Sequence, residues 1–300
     1  MHTRDKDLPM RTVSDIFKST HMPVSFEMVP PKGEFTGDQA HEVAGSLAPL
    51  RPDYISVTCS AGGSGNSDNT NIMAEMIQRD FEIPTVAHVT CINKDAASLE
   101  VTIADLKVRG IKSVLALRGD VPEGADYDPS ADFAHATDLI GPLAQEGFCV
   151  GGAAYPEGHI DNLDADRDIM HLKMKQDAGA SFLVTQLVFV NDTIYRFRER
   201  AEAAGITVPI TCGIMPFLSK SQISRMVFMC GASLPSPIIK LLAKYEDDPE
   251  SLRQAGIEYA CTQLVDLAEH GADGLHVYTM NQAPIAEAAM KALADAGFRN

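Results

Sequence analysis

Residues 113–120 combine a buried strand with side chains that can bind an anion. Five residues that suit a buried strand lead without interruption into Arg118, Gly119 and Asp120. A strand that is apolar along its length is typical of a parallel sheet, and ligands bind at the carboxyl ends of such strands. Arg118 offers a fork of donors to a phosphate or carboxylate, Gly119 lets a ligand approach the backbone, and Asp120 can accept hydrogen bonds. The alternative is an Arg–Asp pair solvated at the start of a loop.

Glu27 is a second candidate for chemistry, because it is the one charged residue in the strand-like run 24–31. The two prolines that end this run stop a strand, since proline cannot continue a ladder inside a sheet. A carboxylate within an apolar run is costly unless it is paired or functional. We therefore interpret Glu27 as a candidate acid or base, with a strand residue at a solvated rim as the alternative.

Alternating strand and helix patterns predict the elements that position these residues. Strand-like runs recur eight times, with helical apolar spacing between them, which predicts an α/β fold of the (β/α)8 TIM-barrel type. A doubly wound open sheet is the alternative. A single barrel domain over residues 21–300 is expected to follow a polar leader over residues 1–20. The barrel is favoured because polar or aromatic residues fall near the strand ends, where a barrel brings them to one face: Glu27, Thr58, His88, Arg118, Asp120, Tyr155, Gln186 and Tyr278.

Composition narrows the class of protein. The chain has 300 residues, 45% of them hydrophobic, and a formal net charge of −16. Nucleic acids and anionic membranes need a basic partner surface, so neither is expected to bind. No run approaches the length of a membrane span or has the pattern of a signal peptide, which predicts a cytoplasmic protein. The six cysteines show no C-x-x-C spacing, so neither an iron–sulfur cluster nor a structural metal site is expected.

The candidate residues also exclude several reaction classes. The strand ends lack the clustered His and carboxylate ligands of a metal hydrolase, and no predicted strand carries the lysine of a Schiff-base aldolase. Gln186 and Asp120 suit the edge of a flat heterocycle, Tyr155 could cover a ring, and Arg118 with Lys175 could neutralise a pyrophosphate. Residues 60–65 are rich in glycine but lack a phosphate-loop lysine, so we interpret them as an active-site loop. The residues alone predict a barrel enzyme for an anionic, ring-bearing ligand.

Several short motifs follow one another along nearly the whole chain: Ser25-Phe26-Glu27, Leu117-Arg118-Gly119-Asp120, Ala154-Tyr155-Pro156, Thr185-Gln186, Gly213-Ile214-Met215-Pro216 and Tyr278-Thr279-Met280-Asn281. In these motifs and in their order, the sequence resembles the methylenetetrahydrofolate reductases of the bacterial type. This resemblance implies an FAD-binding (β/α)8 barrel that reduces 5,10-methylenetetrahydrofolate to 5-methyltetrahydrofolate with NADH or NADPH, and a homo-oligomer.

The resemblance also implies roles for particular residues. Glu27 matches the general acid, Asp120 the aspartate beside flavin and folate, and Gln186 the glutamine that holds the folate. Tyr278 and Gln282 are expected at the substrate. The positions that match FAD contacts are Thr58, His88, Arg118, Gly119, Asp120, Phe133, Ala134, Tyr155, His159, Asp168 and Lys175.

Departures from the family pattern bear on the electron donor more than on the folate chemistry. Two aromatics that usually follow the acid are Met28 and Val29 here, an aromatic after the seventh strand is Lys220, and an arginine after the last strand is Gln282. The positions of Lys220 and Gln282 touch nicotinamide or folate in the resembling enzymes. Two alternatives therefore stay open: a catalytic subunit that receives electrons from a partner redox protein, and a folate-binding one-carbon transferase without redox chemistry.

Overall fold

Eight parallel strands close into a barrel in the computed structural model, which describes residues 10–31, 37–59, 67–92, 94–120, 133–162 and 164–299. Each strand pairs with the next along the chain, and the last pairs with the first. This closed order confirms the predicted (β/α)8 barrel and rules out the open sheet. The strands are β1 (Val24–Met28), β2 (Tyr54–Val57), β3 (Thr85–Thr90), β4 (Ser113–Leu117), β5 (Cys149–Ala154), β6 (Phe182–Thr185), β7 (Ile210–Ile214) and β8 (Gly274–Tyr278).

Helices cover the outer face of the barrel, where the apolar side chains of the strands pack against them. A short 3-10 turn at Ala48–Leu50 extends the second helix. The described helices are α1 (Val13–Ser19), α2 (Gly37–Leu47), α3 (Ser67–Phe81), α4 (Ala96–Val108), α5 (Ala136–Gln145), α6 (Ala165–Asp177), α7 (Asn191–Ala203), α8 (Lys220–Cys230), α9 (Ser236–Lys244), α10 (Pro249–Glu269) and α11 (Ala283–Asp295).

A short break separates α9 from α10. The Asp248 side chain accepts a hydrogen bond from the backbone N–H of Ser251, and Pro249 follows as the first residue of α10. Proline suits this first position because its missing N–H would have no partner there.

Helix α1 lies within the predicted leader and closes the amino-terminal end of the barrel. Thr12 and Asp15 form a capping box at its start. Val13 and Ile16 are buried against the first residues of several strands, including Tyr54 and Phe182. Apolar side chains therefore seal one end of the barrel and leave the carboxyl ends of the strands as the accessible face. The division into a leader and a barrel domain stays a prediction.

The pairing of β1 with β8 is reinforced beyond the strands by Asn281. Its side-chain oxygen accepts a hydrogen bond from Val29 N at 2.9 Å, and its side-chain nitrogen donates to Val29 O at 2.7 Å. The Thr279 hydroxyl donates to Glu27 O at 2.6 Å. These bonds hold the first and last strands together at the accessible face.

Candidate active site

Glu27 lies at the carboxyl end of β1, in register with Ser56 of β2 and Tyr278 of β8. Its side chain is 18% exposed, and its Oε2 lies 3.7 Å from Nε2 of the buried His276. The other ring nitrogen of His276, Nδ1, lies 2.7 Å from the Ser25 hydroxyl. The candidate acid thus faces the accessible end of the barrel and has a histidine beside it.

His88 approaches Glu27 from β3. Its Nε2 shares a hydrogen bond with the Ser56 hydroxyl at 2.7 Å. Burial disfavours the imidazolium and lowers the pKa of His88 to about 4, although the charge of Glu27 opposes this effect. His88 is therefore neutral at physiological pH and can offer hydrogen bonds without adding charge.

Tyr278 and Gln186 bring polar groups to the same face from β8 and from the end of β6. The Tyr278 hydroxyl donates to Thr185 O at 2.9 Å, and burial raises the pKa of this phenol well above its ordinary value, an effect that nearby Glu27 reinforces. The Gln186 side-chain oxygen accepts from Leu187 N at 2.8 Å. Among the described residues, the Gln186 side-chain nitrogen makes no hydrogen bond, so it can donate to a ligand.

A cavity of about 450 Å³ opens beside these residues, between the ends of β4 and β5 and the helices α5 and α6. Its size is in the range of small-molecule and cofactor sites. Its polar and charged lining residues are Arg118, His135, Thr137, Tyr155, His159, Asp161, Asn162, Arg167, Asp168, His171 and Lys175.

Positive charge is crowded within this cavity. Lys175 is half-buried, and burial lowers its pKa to about 8, an effect that nearby Asp168 opposes. Its Nζ donates to Ala153 O at 2.7 Å and lies 5.5 Å from the centre of the Tyr155 ring. The pKa of His159 is also lowered, first by burial and then by the charge of Arg118. A bound anion would relieve this crowding, which favours a phosphate-bearing ligand.

Close backbone approaches shape the cavity. The stem of Lys175 passes over Gly152, where a Cβ would lie 3.2 Å from Lys175 Cδ. Gly119 has φ of +89°, in the left-handed region, and a Cβ there would lie 2.8 Å from the Ile92 side chain. Larger residues at these two positions would displace the chain that carries Arg118 or the stem of Lys175.

The carboxylates of the cavity organise its walls. Asp168 accepts from His159 N at 2.7 Å and from the Asn162 side chain at 2.6 Å, so it fixes the loop between β5 and α6. Asp161 accepts from Arg118 Nη1 at 3.0 Å. The rings of His159 and Tyr155 pack edge to face, with their centres 4.7 Å apart.

The structure brings most of the predicted site residues to one face of the barrel. Arg118, Tyr155, His159, Asp168 and Lys175 line the cavity. Phe133 is half-buried and Ala134 buried, just before the His135–Thr137 part of its wall. Asp120 is exposed at the end of the β4 loop, where its charge reaches Tyr155. The Thr58 hydroxyl is buried and makes no hydrogen bond within the described residues.

Two predicted departures make contacts of their own outside the cavity. The Gln282 side-chain oxygen accepts from Arg253 Nη2 at 2.6 Å. Lys220 pairs with Glu246 at 2.9 Å, and both side chains are exposed. The glycine-rich segment 60–65, interpreted as an active-site loop, lies outside the described residues.

Sequence reasoning missed residues in two places. Arg167 and His171 precede the predicted Lys175 on α6 at intervals of four residues, a spacing that marks a single helix face, and all three line the cavity. His276 precedes Tyr278 by two positions, which puts both side chains on the inner face of β8. The helix spacing could have been found from the sequence, whereas the approach of His276 to Glu27 depends on barrel closure.

Membrane-spanning helices and metal-binding clusters are both absent from the described residues. None of their helices is long and apolar enough to cross a membrane. They also contain no group of three or more His, Cys, Asp or Glu side chains arranged to hold a metal ion.

Comparisons with known proteins identify the family of the chain. The family profile described as methylenetetrahydrofolate reductase matches residues 12–294. The 5,10-methylenetetrahydrofolate reductase of Escherichia coli is 30% identical over 288 residues, covering 96% of this chain and 95% of that protein. Methylenetetrahydrofolate reductase 1 of Schizosaccharomyces pombe is 34% identical over 263 residues, and the match covers 86% of this chain but only 43% of the yeast protein.

A solved structure supports the fold independently. An uncharacterized protein from Clostridium thermocellum, which binds two copies of 5-methyl-5,6,7,8-tetrahydrofolic acid, superposes with a TM-score of 0.68 at 15% identity. The match covers 93% of this chain and 96% of that one. At this identity the likeness shows the barrel alone. The family profile and the bacterial relative go further, and they show that the chain belongs to the methylenetetrahydrofolate reductase family.

Proposed function

We propose that the protein is a flavin-dependent enzyme that reduces 5,10-methylenetetrahydrofolate to 5-methyltetrahydrofolate. The observation that carries this proposal is the position of Glu27, a partly exposed carboxyl at a strand end, on the same barrel face as a cavity crowded with positive charge. Membership of the reductase family supports the reaction and the folate substrate.

The residues present fit FAD. A pyrophosphate would offset the positive charges of Arg118 and Lys175, and the buried Thr58 hydroxyl would gain the hydrogen-bond partner it lacks among the described residues. The Tyr155 ring gives the cavity an aromatic wall. When bound, FAD would supply the hydride-transfer chemistry, which amino-acid side chains cannot provide.

The side chains around the substrate have separate tasks. Glu27, as the general acid, would protonate N10 of the folate and so open the five-membered ring to a 5-iminium cation. The carboxylate of Asp120 would stabilise that positive charge. The free side-chain nitrogen of Gln186 would donate to an acceptor on the pterin and orient it.

NADH or NADPH is the proposed electron donor. A partner redox protein is the second candidate, favoured by the engagement of Lys220 with Glu246 at a position where the resembling enzymes have an aromatic ring. Anaerobic addition of NADH or NADPH to the purified protein separates the two, because only a direct donor bleaches the flavin absorption. A protein that is purified without flavin and does not bind added FAD would contradict the proposed function.

The acid role of Glu27 is tested with Glu27→Gln by measuring the two half-reactions separately. Flavin binding and its reduction by the donor should stay nearly unchanged. Reduction of the folate should fall by at least about a hundredfold, since general acid catalysis contributes on the order of 10²–10⁴. Equal losses in both half-reactions would remove Glu27 from the catalytic role.

A further inference from the structure

We propose that His276 is a positioning residue for Glu27, and that its Nε2 accepts a hydrogen bond from the protonated carboxyl. This inference rests on the proposed role of Glu27 as the acid. It assigns a task to a buried side chain that neither binds the cavity ligand nor packs against the helices.

The pairing of β1 with β8 sets the geometry. Ser25 lies opposite His276, and Glu27 lies opposite Tyr278, so the imidazole sits one layer below the carboxyl inside the barrel. The His276 side chain is 2% exposed, and its Nε2 lies 3.7 Å from Glu27 Oε2. This distance is longer than a hydrogen bond, but hydrogen bonds in active sites without substrate are commonly long and tighten on binding.

Ser25 determines which nitrogen of His276 carries the proton. Its hydroxyl has one hydrogen, and Leu275 O lies 3.3 Å away as an acceptor. When the hydroxyl donates there, its oxygen accepts from His276 Nδ1–H across the 2.7 Å contact. The Nε2 lone pair then faces Glu27. It can accept a hydrogen bond from the protonated carboxyl but not from the carboxylate, which has no hydrogen to donate. A general acid needs that protonated form before it reacts.

Two other titratable groups among the described residues face Glu27, and both stay uncharged. His88, from β3, is held by Ser56, and its pKa is lowered to about 4 by burial, so it is neutral above that pH. The pKa of Tyr278, from β8, is raised well above its ordinary value by burial, and its hydroxyl already donates to Thr185 O. His276 is therefore the neighbour whose hydrogen bond can respond to the state of Glu27.

Two substitutions of His276 separate positioning from packing. His276→Asn can keep the contact with Ser25 but is too short to reach Glu27, whereas His276→Gln can place an amide oxygen near the position of Nε2. If the imidazole positions Glu27, the Gln variant should retain folate reduction within about threefold. The Asn variant should lose on the order of tenfold, the effect of one hydrogen bond. If the imidazole only fills space, the Asn variant should be as active as the Gln variant, and that result would overturn the proposal.

The pH profile of the folate half-reaction gives a second readout. The enzyme is photoreduced and then mixed anaerobically with methylenetetrahydrofolate, so no nicotinamide donor is needed. Only the protonated carboxyl can donate to His276, so without this acceptor the rate in His276→Asn should begin to fall at a lower pH than in the native enzyme. Ser25→Ala should shift the profile in the same direction. Ser56→Ala removes the matching serine beside His88 and should not move it.

Infrared difference spectra of the flavin-free protein test the contact without any turnover. The carboxyl stretch of protonated Glu27 is identified by its disappearance in Glu27→Gln. It should change frequency in His276→Asn and stay near its native position in Ser56→Ala. An unchanged band in a folded His276→Asn protein would contradict the proposal. If that variant does not fold, an unchanged band and an unchanged pH profile in Ser25→Ala would do so.

The same series distinguishes this inference from the function on which it rests. Normal folate reduction by Glu27→Gln would remove the acid role and the proposal together. A collapse in Glu27→Gln with native behaviour of both His276 variants would leave the acid role standing and refute only the part assigned to His276.

Discussion

The buried charge of Lys175 should lower the stability of the flavin-free protein and raise its affinity for FAD. Lys175→Met tests both effects. The lysine stem packs over Gly152 and its Nζ donates to Ala153 O, next to Arg118 and His159 in a half-buried position. Methionine keeps most of the stem and removes the charge. Lys173→Met is the matched control, because Lys173 lies on the same helix and pairs with the exposed Asp177.

The size of the effect follows from the pKa of Lys175. Burial lowers it from 10.5 to about 8, a difference of about 2.5 pH units, and each unit corresponds to roughly 1.4 kcal/mol. The charged lysine therefore costs the flavin-free protein roughly 3.5 kcal/mol well below pH 8. Loss of the bond to Ala153 O offsets about 1–3 kcal/mol of the gain from its removal. At neutral pH we expect Lys175→Met to be about 0.5–2.5 kcal/mol more stable than the native protein.

The pH dependence of this difference is the sharper measurement. Between about pH 8 and 10.5 the folded protein has lost the Lys175 proton while the unfolded chain still binds it, so native stability rises with pH. The variant lacks this rise. Urea unfolding of the flavin-free proteins should show that the stability of Lys175→Met relative to the native protein falls by about 2 kcal/mol between roughly pH 7.5 and 9.5. Lys173→Met should show no such trend.

Flavin binding should respond in the opposite direction. Removal of a charged donor to phosphate is worth roughly 1.5–3 kcal/mol, so FAD affinity of Lys175→Met should fall by about tenfold or more. A stability difference that does not depend on pH would refute the burial argument. Native FAD affinity in the variant would refute the assignment of the cavity.

Other predictions concern Arg118, which lines the same cavity, and the electron donor. Arg118→Ala should lower FAD affinity about tenfold or more in equilibrium titrations, because a charge-assisted contact is lost, and unchanged flavin occupancy would count against the site. If a partner redox protein is the donor, NADH should reduce the native flavin slowly, since Lys220 is engaged with Glu246 where the resembling enzymes have an aromatic ring. Lys220→Phe should accelerate that step in anaerobic stopped-flow experiments, and fast bleaching of the native protein at sub-millimolar NADH would rule the idea out.

Local sequence patterns predicted the strands and the residues at their ends. Arg118 and Tyr155 follow buried strands, so the barrel geometry alone places them on one face. The end of α9 and start of α10 could have been read from Asp248 and Pro249, which form a recognisable helix start. Likewise, the capping box at Thr12 marks a helix inside a segment whose polarity suggested a leader.

Contacts between distant parts of the chain could not be predicted in this way. Ser25 and His276 are 251 residues apart, and they meet only because β8 pairs with β1 in a particular register. The pair formed by Lys220 and Glu246 likewise depends on how α8 packs beside the end of α9. Periodicity shows which face of an element a residue occupies, but it does not show which side chain from another element will lie opposite.

The seam between β1 and β8 has a consequence for how the protein acquires activity during synthesis. Glu27 emerges from the ribosome early, whereas His276 and the Asn281 side chain that bonds Val29 emerge only after almost all of the chain. Joining these segments closes a loop of about 250 residues, and its entropic cost is recovered only when the strands pair. Glu27, the proposed acid, therefore lacks His276 until the barrel closes. Enzymatic activity should consequently be a late marker of folding, appearing after helical structure and partial strand pairing have already formed.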